Sequence, residues 1–344
     1  MRPSKLKPLC HRRSCIADER GLRDGQFLRG RAVSRALKAT AATAGLLVLT
    51  AALPAGVQAR TSCAYVGAPT NLLTVTVTGA SEAVITRRGQ EITAAEYGDP
   101  SEPCAGGIPT VSNTDTIHVL FSGDVGAVAE VQLAGGPLAP GATAEDVGAP
   151  EIEILASGDG GSFSIIGTPR DDQFRWGPGG ANPGLNVNPA DAGDQDVDVT
   201  VLGGEQAALL YADGAAGNDT ITGAPIARDG YVYAYGGPGN DVLTAPRGNV
   251  GAILYGNAGN DVITGARFDD VLRGDAGNDR LVGGSGADNI TGGTGRDRIA
   301  GGAGRDFIKV HDTARDSVSC GAGRDRVNTD RRDHVSGCER ISRR

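Results

Sequence analysis

Residues 256–309 read GNAGNDVIT, GARFDDVLR, GDAGNDRLV, GGSGADNIT, GGTGRDRIA and GGAGRDFIK, six nine-residue units with no insertion between them. Every unit begins with Gly. Every unit has Asp at its sixth place (Asp261, Asp270, Asp279, Asp288, Asp297 and Asp306) and an aliphatic residue at its eighth (Ile263, Leu272, Leu281, Ile290, Ile299 and Ile308). The fourth place is Gly in all units but one, where Phe268 stands. A fixed period of this kind outranks local propensity as a guide to architecture. A disordered Gly-rich tract has no reason to place an aliphatic at every ninth residue.

The unit has a physical logic. Glycine reaches the positive-φ conformations that a tight turn needs at little cost. Asp adds a hard anionic oxygen beside the backbone carbonyls of that turn. Carboxylate and carbonyl oxygens, without thiol or imidazole, are the donor set of Ca²⁺. The triplet around the aliphatic reads as a very short strand with the aliphatic pointing inward. A turn and a short strand reverse the chain, so two units (18 residues) close one flattened coil. Coils then stack at roughly the 4.8 Å spacing of paired strands. Units two apart share a side, which stacks Asp261 on Asp279, Asp279 on Asp297, Asp270 on Asp288, and Asp288 on Asp306. Such neighbours repel unless a cation lies between them.

The run resembles the haemolysin-type, or repeats-in-toxin (RTX), calcium-binding β-roll, whose motif is G-G-x-G-x-D-x-U-x. The match is close over these 54 residues and looser over about the last 130. The resemblance implies an all-β, right-handed parallel β-roll with several Ca²⁺ ions in its turns. The expected side-chain ligands are Asp219, Asp241, Asp261, Asp270, Asp279, Asp288, Asp297, Asp306 and Asp325. The expected turn-backbone positions are Gly256, Gly274, Gly283, Gly292 and Gly301 at the first place, with Gly277, Gly286, Gly295 and Gly304 at the fourth. Phe268 makes the turn of Asp270, and its pairing with Asp288, the weakest of the set.

The period extends in both directions. GAAGNDTIT carries Asp219 and GGPGNDVLT carries Asp241. The starts at 214, 236, 256, 274 and 292 tighten toward the 18-residue coil. Beyond Lys309 the register slips, but HDTARDSVS and CGAGRDRVN place Asp316 and Asp325 at the metal position. The β-roll is therefore expected over 214–328, with a C-terminal cap at 329–344. Arginines crowd there (Arg324, Arg326, Arg331, Arg332, Arg340, Arg343 and Arg344) and read as a solvated cap paired with interleaved Asp and Glu rather than as a patch for an anionic partner. Residues 111–213 alternate short β segments with Gly, Pro and Asp turns and read as irregular solenoid coils, a β-sandwich being the alternative. Within them GTPRDDQFR is a degenerate unit with Asp172 at the sixth place. Residues 60–110, including TNLLTVTVTG, form a β cap that shields the end of the solenoid from edge pairing.

The formal net charge of −8 hides an asymmetry: residues 1–59 hold 11 Lys+Arg against 3 Asp+Glu, and the remainder holds 22 against 38. A body this acidic argues against nucleic acid and anionic membrane surfaces as partners. Ala39 to Ala59 has the form of a secretory signal, with Arg31, Arg35 and Lys38 before a short apolar core and Val57-Gln58-Ala59 as the cleavage site. The apolar run is too short to span a membrane, so no membrane span is expected in the exported chain. The signal peptide is thus expected over residues 1–59, with an over-long n-region because of its first 30 residues, and translation from Val33 would shorten it to an ordinary one. Cys63, Cys104, Cys320 and Cys338 remain after cleavage, while Cys10 and Cys15 are removed. An even set in an exported protein reads as disulfides. Position favours Cys63–Cys104 and Cys320–Cys338, the second pair being one 18-residue coil apart.

No catalytic constellation stands out. H-E-x-x-H and G-x-S-x-G are both missing from the sequence, so neither a zincin nor a hydrolase elbow is present. His118, His311 and His334 are isolated from one another and read as structural. A pore-forming toxin is disfavoured, since beyond residue 38 the chain keeps a single lysine, Lys309. The expectation is a secreted calcium-binding solenoid, not an enzyme, with a structural, surface or matrix role and a cell-wall or extracellular glycan as its candidate partner. The alternative is a calcium-dependent polysaccharide lyase or epimerase, with Tyr231, Tyr233, Tyr235 and Arg228 near Asp229 on a solenoid face.

Overall fold

The structure is a computed structural model. It describes residues 60–79, 81–96, 104–110, 112–114, 116–122, 127–133, 153–158, 161–179, 182–187, 199–202, 209–223 and 226–343. Residues 1–59, on which the expected signal and Cys10 and Cys15 fall, lie outside the described residues.

Alternation of apolar and polar residues sets the first strands. In Leu72–Thr78 the side chains of Leu73, Val75 and Val77 are buried, and their neighbours are partly exposed. The strand Thr116–Ser122 repeats the pattern with Ile117, Val119 and Phe121. The two pair in parallel, Leu73 beside Ile117, Val75 beside Val119 and Val77 beside Phe121. A second face grows the same way, Glu82–Arg88 pairing in parallel with Val128–Gln132, which pairs with Ser162–Ile166. Consecutive strands thus go alternately to two sheets, which is how a coiled chain builds a solenoid.

Among the described residues the sheets have 14 and 12 strands, and no α-helix forms. No helix there is long and apolar enough to cross a membrane. Pairing is parallel throughout except at two places. At the N-terminal end, Arg60–Val66 runs antiparallel to Leu72–Thr78, and Glu91–Glu96 runs antiparallel to Glu82–Arg88. Each sheet is thereby finished by a reversed strand, the arrangement expected of a cap. Cys63–Cys104 ties this end together across a Cα–Cα distance of 4.9 Å. The second exception is the antiparallel excursion Gln173–Gly179, Asn182–Val187 and Val199–Leu202, which is inserted into the 14-stranded sheet. Its outer strands rejoin the parallel ladder, with Glu153–Gly158 on one side and Thr220–Gly223 on the other.

From Thr220 onward the ladder becomes regular. One sheet stacks Ile221, Leu243, Ile263, Leu281, Ile299 and Val318, and the other stacks Leu254, Leu272, Ile290, Ile308 and Val327. All are at most 3 % exposed. Each such side chain is worth about 1.5–3 kcal/mol of burial. The core is a double column one residue wide per coil, and the aliphatic at the eighth place supplies it.

The strands are longer than three residues in several coils. Arg280–Ser285 pairs with Arg298–Gly304 through Leu281 and Ile299, is interrupted at the first-place Gly283, and resumes at Gly284 with Gly302. The second and third places therefore belong to the ladder too. At the far end, Cys320–Cys338 joins successive coils across a Cα–Cα distance of 5.2 Å. The last strand of the smaller sheet, Arg340–Arg343, is exposed and basic, a composition that discourages further edge pairing.

Candidate metal centre

The sixth-place aspartates form two continuous columns, one at each turn edge of the solenoid. Each carboxylate reaches back to the preceding coil and accepts a backbone N–H with its Oδ1. In the first column the N–H of Asp172 donates to Asp219, Asp219 to Asp241, Asp241 to Asp261, Asp261 to Asp279, Asp279 to Asp297, Asp297 to Asp316, and Asp316 to Asp333, at 2.7–3.0 Å. In the second, Ala252 donates to Asp270, Asp270 to Asp288, Asp288 to Asp306, and Asp306 to Asp325, at 2.7–3.1 Å. The N–H of Asp325 donates to Glu339 Oε2 at 2.8 Å. All the aspartates in these columns are buried.

The other oxygen of each carboxylate divides the columns into two kinds of site. Among the described residues, nine buried Oδ2 atoms have no hydrogen-bond partner: those of Asp219, Asp241, Asp261, Asp279, Asp288, Asp297, Asp306, Asp316 and Asp325. An anionic oxygen left dry and unpaired is costly, and such atoms ask for a missing partner. Three carboxylates are closed instead by donors of their own turn. Asp270 Oδ2 accepts the N–H of Ala266 at 2.7 Å, Asp172 Oδ2 that of Thr168 at 2.6 Å, and Asp333 Oδ2 that of Asp330 at 2.8 Å.

Glycine shapes most of these turns. A Cβ on Gly256, Gly274 or Gly292 would lie 2.2–2.3 Å from Oδ2 of Asp261, Asp279 or Asp297 respectively. On Gly283 and Gly301 it would lie 2.5 and 2.7 Å from Asp288 and Asp306. The first place is Gly because the carboxylate occupies the space of a side chain. The fourth place is Gly for its conformation: φ is +147° at Gly277, +132° at Gly286, +120° at Gly295 and +145° at Gly304. In every open unit but that of Asp316 the second place also turns left-handed, at Ala215, Asn257 and Asp275 as well as at several glycines. In the unit of Phe268 neither Ala266 nor Phe268 adopts positive φ. The turn relaxes, and the Ala266 N–H swings onto Asp270. Phe268 itself is 40 % exposed.

Burial dominates the electrostatics. It pushes Asp219, Asp288 and Asp316 up to about 7, and Asp261, Asp270, Asp279 and Asp297 up to about 6. The backbone N–H on each carboxylate opposes this, and neighbouring aspartates add to it. Asp241 and Asp306 are raised in the same way. Among the described residues, no three His, Cys, Asp or Glu side chains converge on one point. A cation in a turn would therefore rely on one or two carboxylates, completed by the backbone carbonyls the glycines bring close. That donor set fits Ca²⁺.

Two features were not foreseen from the sequence. A second ladder runs beside the first column at the fifth place, where Asn218, Asn240, Asn260 and Asn278 each accept the N–H of the residue one coil on, ending at Arg296. The recurring Asn before Asp was its signal. Glu339 is the other, since nothing in its surroundings marks it as the terminal acceptor of the second column.

The remaining candidates fall apart as a site. His118 Nε2 pairs with Ser157 Oγ at 2.8 Å, and burial lowers its pKa. His311 and His334 are exposed on the surface. Tyr233 stacks near Tyr211 at 4.5 Å and Tyr235 on Tyr255 at 5.2 Å, so these rings cover one another along the sheet. The side chains of Arg228, Asp229 and Tyr231 lie outside the described residues.

Three stretches, 226–249, 255–290 and 273–308, match the model of the RTX calcium-binding nonapeptide repeat, in four copies. No curated protein matches the chain, and no solved structure matches it.

Proposed function

We propose that this chain is a secreted calcium-binding protein whose repeats take up Ca²⁺ between stacked turns and fold as they do so. The observation that carries this is the set of nine buried Oδ2 atoms without a partner, one per open turn. Calcium supplies the positive charge that lets these dry carboxylates stay ionised against burial and against one another. Asp219, Asp241, Asp261, Asp279, Asp288, Asp297, Asp306, Asp316 and Asp325 hold it; glycines at the first and fourth places keep side chains out of the turns, except that His311 and Ala314 stand there in the unit of Asp316 and Cys320 stands first in that of Asp325. Asp270 stands apart: its carboxylate is filled by protein donors.

Extracellular calcium suits such sites. With a dissociation constant of about 0.1 mM and about 1 mM free ion, one site adds roughly 1.4 kcal/mol. Several coupled sites then decide between folded and unfolded, and the low calcium of a cytoplasm leaves the repeats unfolded before export. The two disulfides support an oxidising destination. In this reading the protein is not an enzyme. It serves a structural, surface or matrix role, with a cell-wall or extracellular glycan as its partner.

The test is a calcium titration followed by circular dichroism and calorimetry. Chelation is expected to melt residues 214–328 and readdition to restore them. A β-sheet spectrum indifferent to both treatments removes calcium from the fold.

A further inference from the structure

The acid–base balance of the chain reverses at its far end. Residues 60–295 hold 10 Lys+Arg against 30 Asp+Glu, while residues 296–344 hold 12 against 8. Most of those eight acids cannot answer the arginines. Asp297, Asp306, Asp316, Asp325, Asp330 and Asp333 are buried. Asp312 is committed to backbone, accepting the N–H of Gly295 at 3.0 Å and of Ala314 at 2.7 Å. Glu339 takes the N–H of Asp325. The expected pairing of the terminal arginines with interleaved Asp and Glu is accordingly not what forms around these turns. The aspartates face inward, because the repeat uses them as turn acceptors, and the arginines face out.

Three of these arginines stand in one column. Arg296, Arg315 and Arg332 each directly precede a ladder aspartate, and Asp297, Asp316 and Asp333 are joined coil to coil. They continue the fifth-place column in which the asparagine ladder ends at Arg296. With Arg331, Thr313 and Ala314 they line an open cleft of about 570 Å³. All four guanidinium groups are exposed, and none makes an ion pair within 4 Å with a described residue. Arg332 is held in place by donating from Nη1 to the Thr313 carbonyl at 2.7 Å. Arginine forks match carboxylate and sulfate oxygens two at a time.

From this geometry we infer that the cleft binds an acidic polysaccharide, its carboxylate or sulfate groups meeting successive arginines. The assignment rests on the surface role proposed above only for its class of partner. The lining favours a glycan over a single-stranded nucleic acid, because it offers guanidinium, hydroxyl and methyl groups but no aromatic face for a base to stack on. The strongly acidic coils before residue 296 also repel a long polyelectrolyte laid along the axis, which confines contact to this end.

The test uses the full exported chain at saturating calcium, with heparin as the probe, neutral dextran as the blank and a polythymidine oligomer as competitor. Heparin is expected to bind, and Arg296→Ala, Arg315→Ala and Arg332→Ala together to weaken it at least tenfold. A charge-matched triple elsewhere, Arg267→Ala, Arg280→Ala and Arg298→Ala, is expected to change affinity less than threefold. Arg296→Lys, Arg315→Lys and Arg332→Lys together keep the charge but lose the forks, and are expected to fall between. Absence of heparin binding, equal loss in both Ala triples, or preference for polythymidine overturns the assignment. Calcium titration of each variant is read separately, so a chain that binds calcium without heparin, or heparin without calcium, shows which proposal has failed.

Discussion

The backbone N–H of Asp261 donates to Oδ1 of Asp279, one coil on, at 2.9 Å, while Oδ2 of Asp279 is buried with no partner. One carboxylate thus does two jobs. It sets the register between coils with one oxygen and holds the other ready for a cation. Asp270 has the same place in its unit and lacks the second role, because Ala266 fills it.

This contrast predicts different outcomes for the same chemical change. Asp279→Asn keeps an Oδ1 acceptor and removes the charge, so calorimetry should show one fewer calcium site or a severalfold higher midpoint. Asp270→Asn should leave the calcium stoichiometry unchanged. Replacing Ala266 and Phe268 together by Gly restores the open turn and should add a site. Equal calcium loss in the two Asn variants would remove the distinction between open and closed turns.

Backbone crowding sets the next expectation. Gly259 has φ of +139°, and a Cβ there would lie 1.4 Å from the carbonyl oxygen of Gly239. Gly259→Ala combines left-handed strain with overpacking and should cost about 3 kcal/mol or more. At Gly67 the added methyl meets only the Tyr65 ring at 3.7 Å, an ordinary contact. Gly67→Ala should stay within about 0.5 kcal/mol of the parent. Thermal melting at saturating calcium ranks the two.

Acidity should act in opposite directions with and without calcium. In the metal-free fold Asp219, Asp288 and Asp316 titrate at about 7, well above the 3.8 of an unburied Asp. Between these values the folded chain binds more protons than the unfolded one. Stability of the metal-free fold is therefore highest below the unfolded value and falls as pH rises from about 4 to 7. Calcium competes with protons for the same oxygens, so its midpoint concentration should fall as pH rises. Melting of the stripped protein across this range checks the first sign, and calcium titrations at two pH values check the second. A metal-free melting temperature that climbs with pH would contradict the burial argument.

The C-terminal bridge closes an 18-residue loop. Chain entropy assigns such a loop about 3 kcal/mol. Cys338→Ser should lower stability by that order, and the loss should show most clearly in chelated protein, where no ion helps to hold the last coils. Denaturant unfolding with and without calcium measures it.

The regular part of this architecture was legible because one short unit carries its whole instruction. The eighth-place aliphatics predict the core, the sixth-place aspartates predict the columns, and the 18-residue spacing predicts which coils meet. The legible signal weakens where a role depends on a conformation rather than a residue type. First-place and fourth-place glycines look alike in sequence, yet Gly274 is excluded from bearing a side chain by Asp279, and Gly277 by its φ. The closure of Asp270 follows from where the Ala266 N–H points, which no residue pattern states. The arginine cleft was obscured for a related reason. Counting Asp and Glu near Arg315 and Arg332 suggests neutralisation, but burial takes most of those carboxylates out of reach.

The hydrogen bonds of the aspartate columns all run one way, each coil giving its N–H to a carboxylate that arrives later in the chain. Backbone donors return the other way, Arg280 N–H to the Asp261 carbonyl and Arg298 N–H to the Asp279 carbonyl, each at 2.8 Å. Each pair of coils is therefore buttoned in both directions along one edge, so that a coil cannot slip along its neighbour without undoing both fasteners, and the columns are closed off by Asp333 and Glu339.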